Sequence, residues 1–221
     1  MHDFFNLLLP KFCLVCERRI PAGLLCLHCL PEQKQLTIDK SFDFESFYNN
    51  DNKNKTRIIY LWEYQGNIKD IIKIMKYKPS LKLTNFLATK AASILNKENL
   101  DLSWDFIAPI PSSMASKKQR LFNQSQVIAK EISKSLQIPI NCNCISHCKS
   151  SGKQVKLNAA KRKRNMKNVF KASPKLAKDK SILIVDDVLT TGATFASAAN
   201  ALYNAKARNV DLFCLARSTK F

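Results

Sequence analysis

The sequence predicts an α/β fold in which helices lie on both faces of a parallel sheet, preceded by a small cysteine-rich module. A chain of 221 residues, 46% of them hydrophobic, suffices for one substantial domain and a small appendage. Residues 105–215 have the predicted order β-α-β-loop-β-α-β, which is typical of parallel sheets. The unbroken apolar run Ile182–Val185 indicates a strand that is buried on both faces.

Two Cys-x2-Cys pairs stand near the N-terminus, after residues 1–10, which are apolar enough for a short helix. Each pair places two thiolates on one tight turn, and two pairs complete a tetrahedral site of four thiolates. The spacing therefore predicts one structural zinc ion, and metal binding supplies most of the folding free energy of so small a module. The four predicted ligands are Cys13, Cys16, Cys26 and Cys29.

The next segment is predicted to be a polar loop followed by a strand and two helices. Residues 31–56 are polar and irregular, and Ile58–Trp62 has the composition of a strand. Apolar residues then recur at helical spacing after Gly66, and Pro79 ends this first helix. Its opposite face carries a lysine stripe, either a phosphate-binding face or an ordinary solvated one. The apolar positions of the first helix are Ile68, Ile71, Ile72 and Met75, and its lysine stripe is Lys69, Lys73 and Lys76. The apolar residues that mark the second helix are Leu83, Phe86, Leu87, Ile94 and Leu95.

The second half supplies the predicted core strands. Residues 105–111 form the first, and a helix begins at Asn123, which with Gln126 resembles a capping box. Residues 138–140 begin another strand, residues 146–180 are polar and flexible in composition, and residues 210–215 form the last strand.

The strand Ile182–Val185 leads into the polar residues that carry the predicted chemistry. Asp186 and Asp187 follow it directly, at the sheet edge where open α/β sheets bind ligands. Thr190, Thr191, Gly192 and Thr194 then precede an alanine-rich helix, Ala193–Asn204. Hydroxyls, backbone amides and a helix N-terminus together bind anions, whereas the carboxylates suit hydroxyls and a divalent metal. The expected ligand is a sugar phosphate with its ribose against the two acids.

The stretch Val185–Thr194, sequence VDDVLTTGAT, resembles the phosphoribosyl-pyrophosphate (PRPP) signature of type I phosphoribosyltransferases. A Walker nucleotide loop is excluded, because the sequence contains no Gly-x4-Gly-Lys. The resemblance implies a type I phosphoribosyltransferase-like sheet, catalytic Asp186 and Asp187, and a flexible lid over residues 146–170. It also implies a PRPP–Mg²⁺ site that consists of Asp186, Asp187, Val188, Leu189, Thr190, Thr191, Gly192, Ala193 and Thr194, with Ser112 and Ser113 in the pyrophosphate loop.

Further motifs resemble the ComF family of competence and DNA-utilisation proteins. Besides the four cysteines, these are Tyr64-Gln65-Gly66, the run 120–124, and Gln154 with the run 161–165 and Phe170. Leu121, Pro79 and Lys206 stand where that family usually has glycine. The resemblance implies a zinc module over residues 1–35 and a phosphoribosyltransferase-like domain over 36–221. It also implies a role in natural transformation, with single-stranded DNA and other competence proteins, such as a helicase or DNA-processing factors, as partners.

The charge of the chain is strongly positive, since 36 Lys and Arg against 17 Asp and Glu give +19. Such an excess indicates a polyanionic partner, or else an ordinary lysine-rich surface. Residues 149–180 hold 12 basic residues and a single acid, Asp179. The basic lid fits pyrophosphate, a DNA strand or both, and the candidate nucleic-acid contacts are Lys161, Arg162, Lys163 and Arg164.

Two function classes remain open. The chain is either a DNA-handling factor that binds PRPP, or an active phosphoribosyltransferase that acts on an unidentified nucleobase in nucleotide salvage. With neither a signal-peptide pattern nor an 18-residue apolar run, a cytoplasmic location is expected. A second metal site formed by Cys142, Cys144, Cys148 and His147 is disfavoured, because these cysteines lack a ribbon-like second pair.

Overall fold

The structure, a computed structural model, describes residues 11–32, 36–40, 56–78, 80–98, 103–112, 121–148 and 169–218. The predicted N-terminal helix, the loop at 49–54 and most of the lid lie outside these residues. In chain order the elements are β1 (Lys11–Phe12), β2 (Arg19–Ile20), β3 (Thr37–Asp39), β4 (Ile58–Glu63), α1 (Gly66–Tyr77), α2 (Leu81–Lys97), β5 (Phe106–Pro109), α3 (Gln124–Leu136), β6 (Ile145–His147), β7 (Phe170–Ala172), α4 (Pro174–Ala177), β8 (Ser181–Leu189), α5 (Ala193–Asn204) and β9 (Asn209–Arg217).

The central sheet of the described chain has the strand order β3-β4-β9-β8-β5. Strands β4, β9, β8 and β5 run parallel, and β3 pairs antiparallel with β4. In the parallel register Val185 lies between Pro109 and Phe213. The four parallel strands therefore end at one edge, and Asp186 and Asp187 lie at that edge on a central strand.

Other elements cover both faces of the sheet. Alternate strand residues point to opposite sides, so neighbouring residues of β8 show what packs on each face. Leu183 and Val185 pack with α1, α2 and α3 on one face. Ile182 and Ile184 pack with α5 and the β6–β7 hairpin on the other. The predicted α/β fold with helices on both faces is confirmed.

A buried acid holds the end of the sheet opposite the ligand edge. Asp211 is fully buried on β9 and accepts hydrogen bonds from Arg57 Nη2 at 2.6 Å and from Trp104 Nε1 at 2.8 Å. A buried carboxylate is tolerated only when it is paired in this way. The network joins β9 to the residues that lead into β4 and β5, and so fixes the strands whose other ends form the site.

Some elements differ from the prediction. The polar segment 31–56 contains β3, a short edge strand whose central Ile38 is only half-buried, so its hydrophobic signal is weak. Residues 138–140 form only one parallel bridge, Ile140 with Ile107. The predicted flexible segment contains β6, β7 and α4 among its described residues, and β8 continues past both acids to Leu189.

The residues that hold the four cysteines, 11–32, are called the cysteine module below. Strands β1 and β2 pair antiparallel in it, and Gly23 has φ +88°, a conformation that favours glycine where the chain turns back. Among the described helices, none is long and apolar enough to cross a membrane.

Candidate functional site

A cavity of about 360 Å³ lies at the C-terminal edge of the sheet. Its walls come from β8, from the loops after β5 and β8, from the end of α1, from the start of α3 and from the β6–β7 hairpin. Open α/β sheets bind ligands in this position. The lining residues are Lys76, Ile110, Pro111, Ser112, Asn123, Ser125, His147, Val169, Phe170, Asp186, Asp187, Ala193 and Thr194.

Asp186 is held by two hydrogen bonds to one of its carboxylate oxygens. Ser125 Oγ donates to Oδ1 at 2.7 Å, and the backbone N–H of Asp187 donates to the same oxygen at 2.9 Å. Burial, and then the charge of Asp187, raises the pKa of Asp186 to about 7, although both hydrogen bonds and Lys76 act in the opposite direction. The carboxyl group is therefore oriented and has a strongly perturbed pKa, a combination common at functional sites.

Asp187 is buried, and its charge is balanced by a lysine from another element. Lys76 Nζ lies 3.0 Å from Asp187 Oδ1. Two lysines of the predicted stripe therefore have different environments. Lys73 is exposed and pairs with Asp70 on its own helix, whereas Lys76, near the end of α1, lines the cavity. Sequence periodicity places these lysines on one face and cannot distinguish the one that meets the sheet edge.

The start of α3 and the end of α1 are fixed against each other. The side chain of Asn123 caps α3 by accepting from Ser125 N, as predicted, and its Nδ2 donates to Ile110 O at 3.0 Å. Gln124 Nε2 donates to Met75 O at 2.9 Å. These bonds place Ser125 and Lys76 beside the acid pair. Sequence analysis missed Ser125, although its position just after the cap of a helix that follows β5 could have located it at this edge.

The loop between β8 and α5 has the features of an anion site. Gly192 caps α5 with φ +78°, and no side chain caps this helix, so the amides of its first turn are available to a ligand. Ala193 and Thr194 line the cavity, while Thr190 and Thr191 are exposed in the loop beside it. The side chains of Val188 and Leu189 are buried in the core.

The loop after β5 and the β6–β7 hairpin close the opposite side. Ser112 lines the cavity, whereas Ser113 lies outside the described residues. His147 Nε2 lies 2.9 Å from Pro111 O, and the His147 and Phe170 rings are 4.7 Å apart. Because a carbonyl oxygen only accepts, Nε2 carries the proton in this bond. The predicted nucleic-acid residues Lys161, Arg162, Lys163 and Arg164 fall outside the described chain.

The four N-terminal cysteines come together as predicted. Their Sγ atoms all lie within 4.8 Å of one another. A tetrahedral zinc ion with Zn–S bonds of about 2.3 Å requires sulfurs about 3.8 Å apart, so the donor set fits. Burial alone would raise the pKa of Cys13, but backbone hydrogen bonds from Cys16, Cys26 and Val15 bring it to about 6. Burial and the side chains of Cys16, Cys26 and Cys13 raise the pKa of Cys29 to about 12, so the fit to zinc rests on the placement of the four sulfurs.

The other cysteines form no comparable group within the part of the chain that the structure describes. Cys142 and Cys148 are exposed, and Cys144 is buried. Burial raises the pKa of Cys144 to about 11, which keeps its thiol protonated.

Comparison with known proteins gives matches to one domain family and to bacterial proteins named for DNA utilization or competence. Residues 82–220 match the family described as phosphoribosyl transferase domain. The DNA utilization protein YhgH of Shigella flexneri is 32% identical over 114 residues, which cover 52% of this chain and 50% of the relative. Competence protein ComFC of Bacillus subtilis is 25% identical over 166 residues, which cover 72% of this chain and 63% of the relative. The chain thus aligns with about half the length of the first relative. A solved structure of the glutamine PRPP amidotransferase from B. subtilis is similar with 15% identity and a TM-score of 0.44, over 61% of this chain and 27% of that one.

Proposed function

The chain belongs to the phosphoribosyl transferase domain family, and from this premise we propose that it binds PRPP with Mg²⁺ and serves natural transformation in the cytoplasm. Its relatives, which are named as competence and DNA utilization proteins, confirm the resemblance to the ComF family. One observation carries the ligand assignment: two adjacent carboxylates at a sheet edge line the same cavity as the start of a helix that no side chain caps.

Groups in and beside that cavity are assigned to the parts of PRPP as follows. Asp186 and Asp187 accept hydrogen bonds from the ribose hydroxyls. The Thr190–Thr194 loop and the first amides of α5 bind the 5′-phosphate, as helix N-termini bind anions. Ser112 and Ser113 bind the pyrophosphate, whose charge is neutralised by Mg²⁺ when that ion is bound.

The cysteine module is proposed to hold one structural zinc ion. Four thiolates fill the coordination shell, so no position is left for a water or a substrate. We keep the domain division predicted from the sequence, with an N-terminal zinc-binding domain in residues 1–35, which contains the cysteine module, and the phosphoribosyltransferase-like domain in 36–221.

Single-stranded DNA is the proposed macromolecular partner. The net charge of +19 and the basic run Lys161–Arg164 support this assignment, together with the names of the relatives. Other competence proteins are the proposed further partners. Residues 146–170 are the proposed basic lid, which neutralises pyrophosphate, DNA or both.

A second candidate function is phosphoribosyl transfer to a nucleobase. The observation that favours it is the presence of the His147 and Phe170 rings in the wall of the cavity, because displacement of pyrophosphate through an oxocarbenium-like state needs water to be excluded. The same site binds PRPP in both functions, and they differ in whether PRPP turns over.

Calorimetric titration with PRPP and Mg²⁺ tests the shared assignment. The double variant Asp186→Ala, Asp187→Ala should lose at least tenfold in affinity, because it removes charged hydrogen-bond acceptors worth about 1.5–3 kcal/mol each. Asp70→Ala, which removes an exposed acid on α1, is the matched control and should bind as the wild type does. Unchanged affinity in the double variant would exclude the site. Release of pyrophosphate in the presence of nucleobases or DNA then separates the two functions.

A further inference from the structure

An aromatic side chain is exposed at the end of α1, beside the candidate ligand cavity. Tyr77 is the last residue of this helix and is 78% exposed. It belongs to neither of the two large hydrophobic clusters that the described residues form around the sheet. Both faces of its ring are therefore largely open to a partner molecule.

Lysines accompany this ring along the same side of the helix. Lys69, Lys73 and Tyr77 are spaced by four residues, so their side chains follow one another about 6 Å apart along the helix axis. Both lysines are exposed, and so is Lys78, which follows as the C-terminal cap. Lys73 Nζ lies 3.4 Å from Oδ1 of Asp70, but an ion pair this exposed is weak, so a phosphate competes with it.

The ring lies next to the candidate ligand cavity and outside it. Lys76 lines that cavity, whereas Tyr77, the next residue, points about 100° away around the helix and is not part of the lining. Gln124 holds the start of α3 against the end of α1, and Leu121, three residues before Gln124, is 89% exposed. Exposed apolar side chains therefore occur on both sides of the junction between α1 and α3.

An open aromatic ring in a row of lysines fits single-stranded nucleic acid. The lysines attract phosphates, in keeping with the net charge of +19, and the ring offers a face on which an unpaired base stacks. In a duplex the bases are paired and stacked on one another. The ring therefore favours a single strand over a duplex, which lysines alone do not.

We propose that Tyr77 stacks on a base of single-stranded DNA and that Lys69, Lys73 and Lys78 contact the neighbouring phosphates. This inference rests on the proposed function, which names single-stranded DNA as the partner, and it adds a binding surface apart from the basic lid. The bound strand runs along α1 towards the candidate ligand cavity. Stacking releases no counterions, so the contribution of Tyr77 to the affinity does not weaken as salt rises.

Fluorescence anisotropy of the full-length protein with a labelled oligothymidine, and with an abasic oligomer of the same length, tests the proposal. Tyr77→Ala should lower the affinity for oligothymidine about tenfold or more and leave its salt dependence unchanged, because one stacked base is lost. Tyr77→Phe keeps the ring and should bind as the wild type does. The abasic oligomer should bind wild type and Tyr77→Ala equally.

Two further variants complete the experiment. Phe12→Ala removes another exposed aromatic ring, in the cysteine module, and is the control that should change neither affinity. Lys69→Gln with Lys78→Gln should weaken binding to both oligomers and reduce the slope of the logarithmic salt plot by about 1.4, since two phosphate contacts are lost.

The outcomes separate this inference from the proposed function. If the wild type binds oligothymidine and Tyr77→Ala binds it as tightly, the stacking surface is excluded and the DNA partner stands. The same conclusion follows if Tyr77→Ala loses as much affinity for the abasic oligomer, or if Tyr77→Phe does not restore binding. If the wild type does not bind single-stranded DNA at about 100 mM salt, the proposed DNA partner and this inference are both overturned.

Discussion

Lys76 and Asp187 form an ion pair in the wall of the candidate ligand cavity, with Nζ 3.0 Å from Oδ1. The pair joins the end of α1 to β8, through two residues that are 111 positions apart in sequence. Lys76 is the cation that the described structure places against the two adjacent acids. Its charge acts to lower the pKa of Asp186, against the larger opposing effects of burial and of Asp187.

The first prediction concerns the replacement of Lys76 by methionine. Lys76→Met keeps the aliphatic stem and leaves Asp187 buried without a counter-ion. The free energy of unfolding at pH 8 should therefore fall by about 1–3 kcal/mol. The loss should be smaller than for a fully buried ion pair, because the side chain of Lys76 is partly exposed. Lys73→Met removes an exposed pair on the same helix and should cost under about 0.5 kcal/mol. Urea unfolding measures both.

A double-mutant cycle shows whether the effect arises from the pair itself. Asp187→Asn should recover most of the stability lost in Lys76→Met, with a coupling free energy of about 1 kcal/mol or more. Equal losses for the two lysine variants, or a coupling near zero, would contradict this account.

The second prediction is a pH dependence that originates at Asp186. Its pKa in the folded protein, about 7, lies above its ordinary value, because burial and Asp187 disfavour the charged carboxylate. Below about pH 4 both the folded and the unfolded chain hold this proton. As the pH rises towards 7 the unfolded chain releases it first, so Asp186 makes a progressively less favourable contribution to stability.

Asp186→Asn removes that titration and leaves an oxygen to accept from Ser125. The variant should gain stability relative to the wild type between pH 4.5 and 7.5, by at least about 1 kcal/mol. The difference between the two proteins isolates this group from the other acids. A difference that stays flat or decreases over this range would show that Asp186 does not titrate as described.

Local patterns predicted the elements that carry the site. The apolar run before Asp186 and the alanine-rich run after Gly192 are sufficient signals, and α5 has the predicted bounds Ala193–Asn204. The cysteine cluster likewise follows from spacing alone. The sequence did not predict which distant side chains contact the two acids. Ser125 contacts Asp186 and Lys76 contacts Asp187, and the hydrogen bond from Gln124 to Met75 O holds the start of α3 against the end of α1. The edge strand β3 was missed because none of its three residues is fully buried, which leaves it without a hydrophobic signal.

The third prediction concerns zinc. Metal analysis of the purified, reduced protein should find about one zinc ion per chain. Cys26→Ser should lower that content and destabilise the cysteine module, since metal binding supplies folding free energy. Cys142→Ser is the control, because Cys142 is exposed and lies outside the cluster. A protein that is metal-free and still folded under reducing conditions would overturn the assignment.

The last prediction concerns single-stranded DNA. With 12 basic residues and one acid in residues 149–180, and Phe170 the sole aromatic residue there, binding should be mainly electrostatic and nearly independent of sequence. Affinity should fall linearly with salt on logarithmic axes. Reversal of Lys161, Arg162, Lys163 and Arg164 to Glu should weaken binding to all sequences alike and reduce the slope by about 3, if each contacts one phosphate.

The control is a second reversal variant with the same change in net charge. Reversal of Lys82, Lys90, Lys97 and Lys130, on α2 and α3, changes the net charge equally and should have a clearly smaller effect. The proposed DNA role fails if the wild type does not bind at about 100 mM salt, or if its affinity is insensitive to salt. Equal losses in the two reversal variants would instead assign the attraction to net charge and exclude a DNA site in the lid.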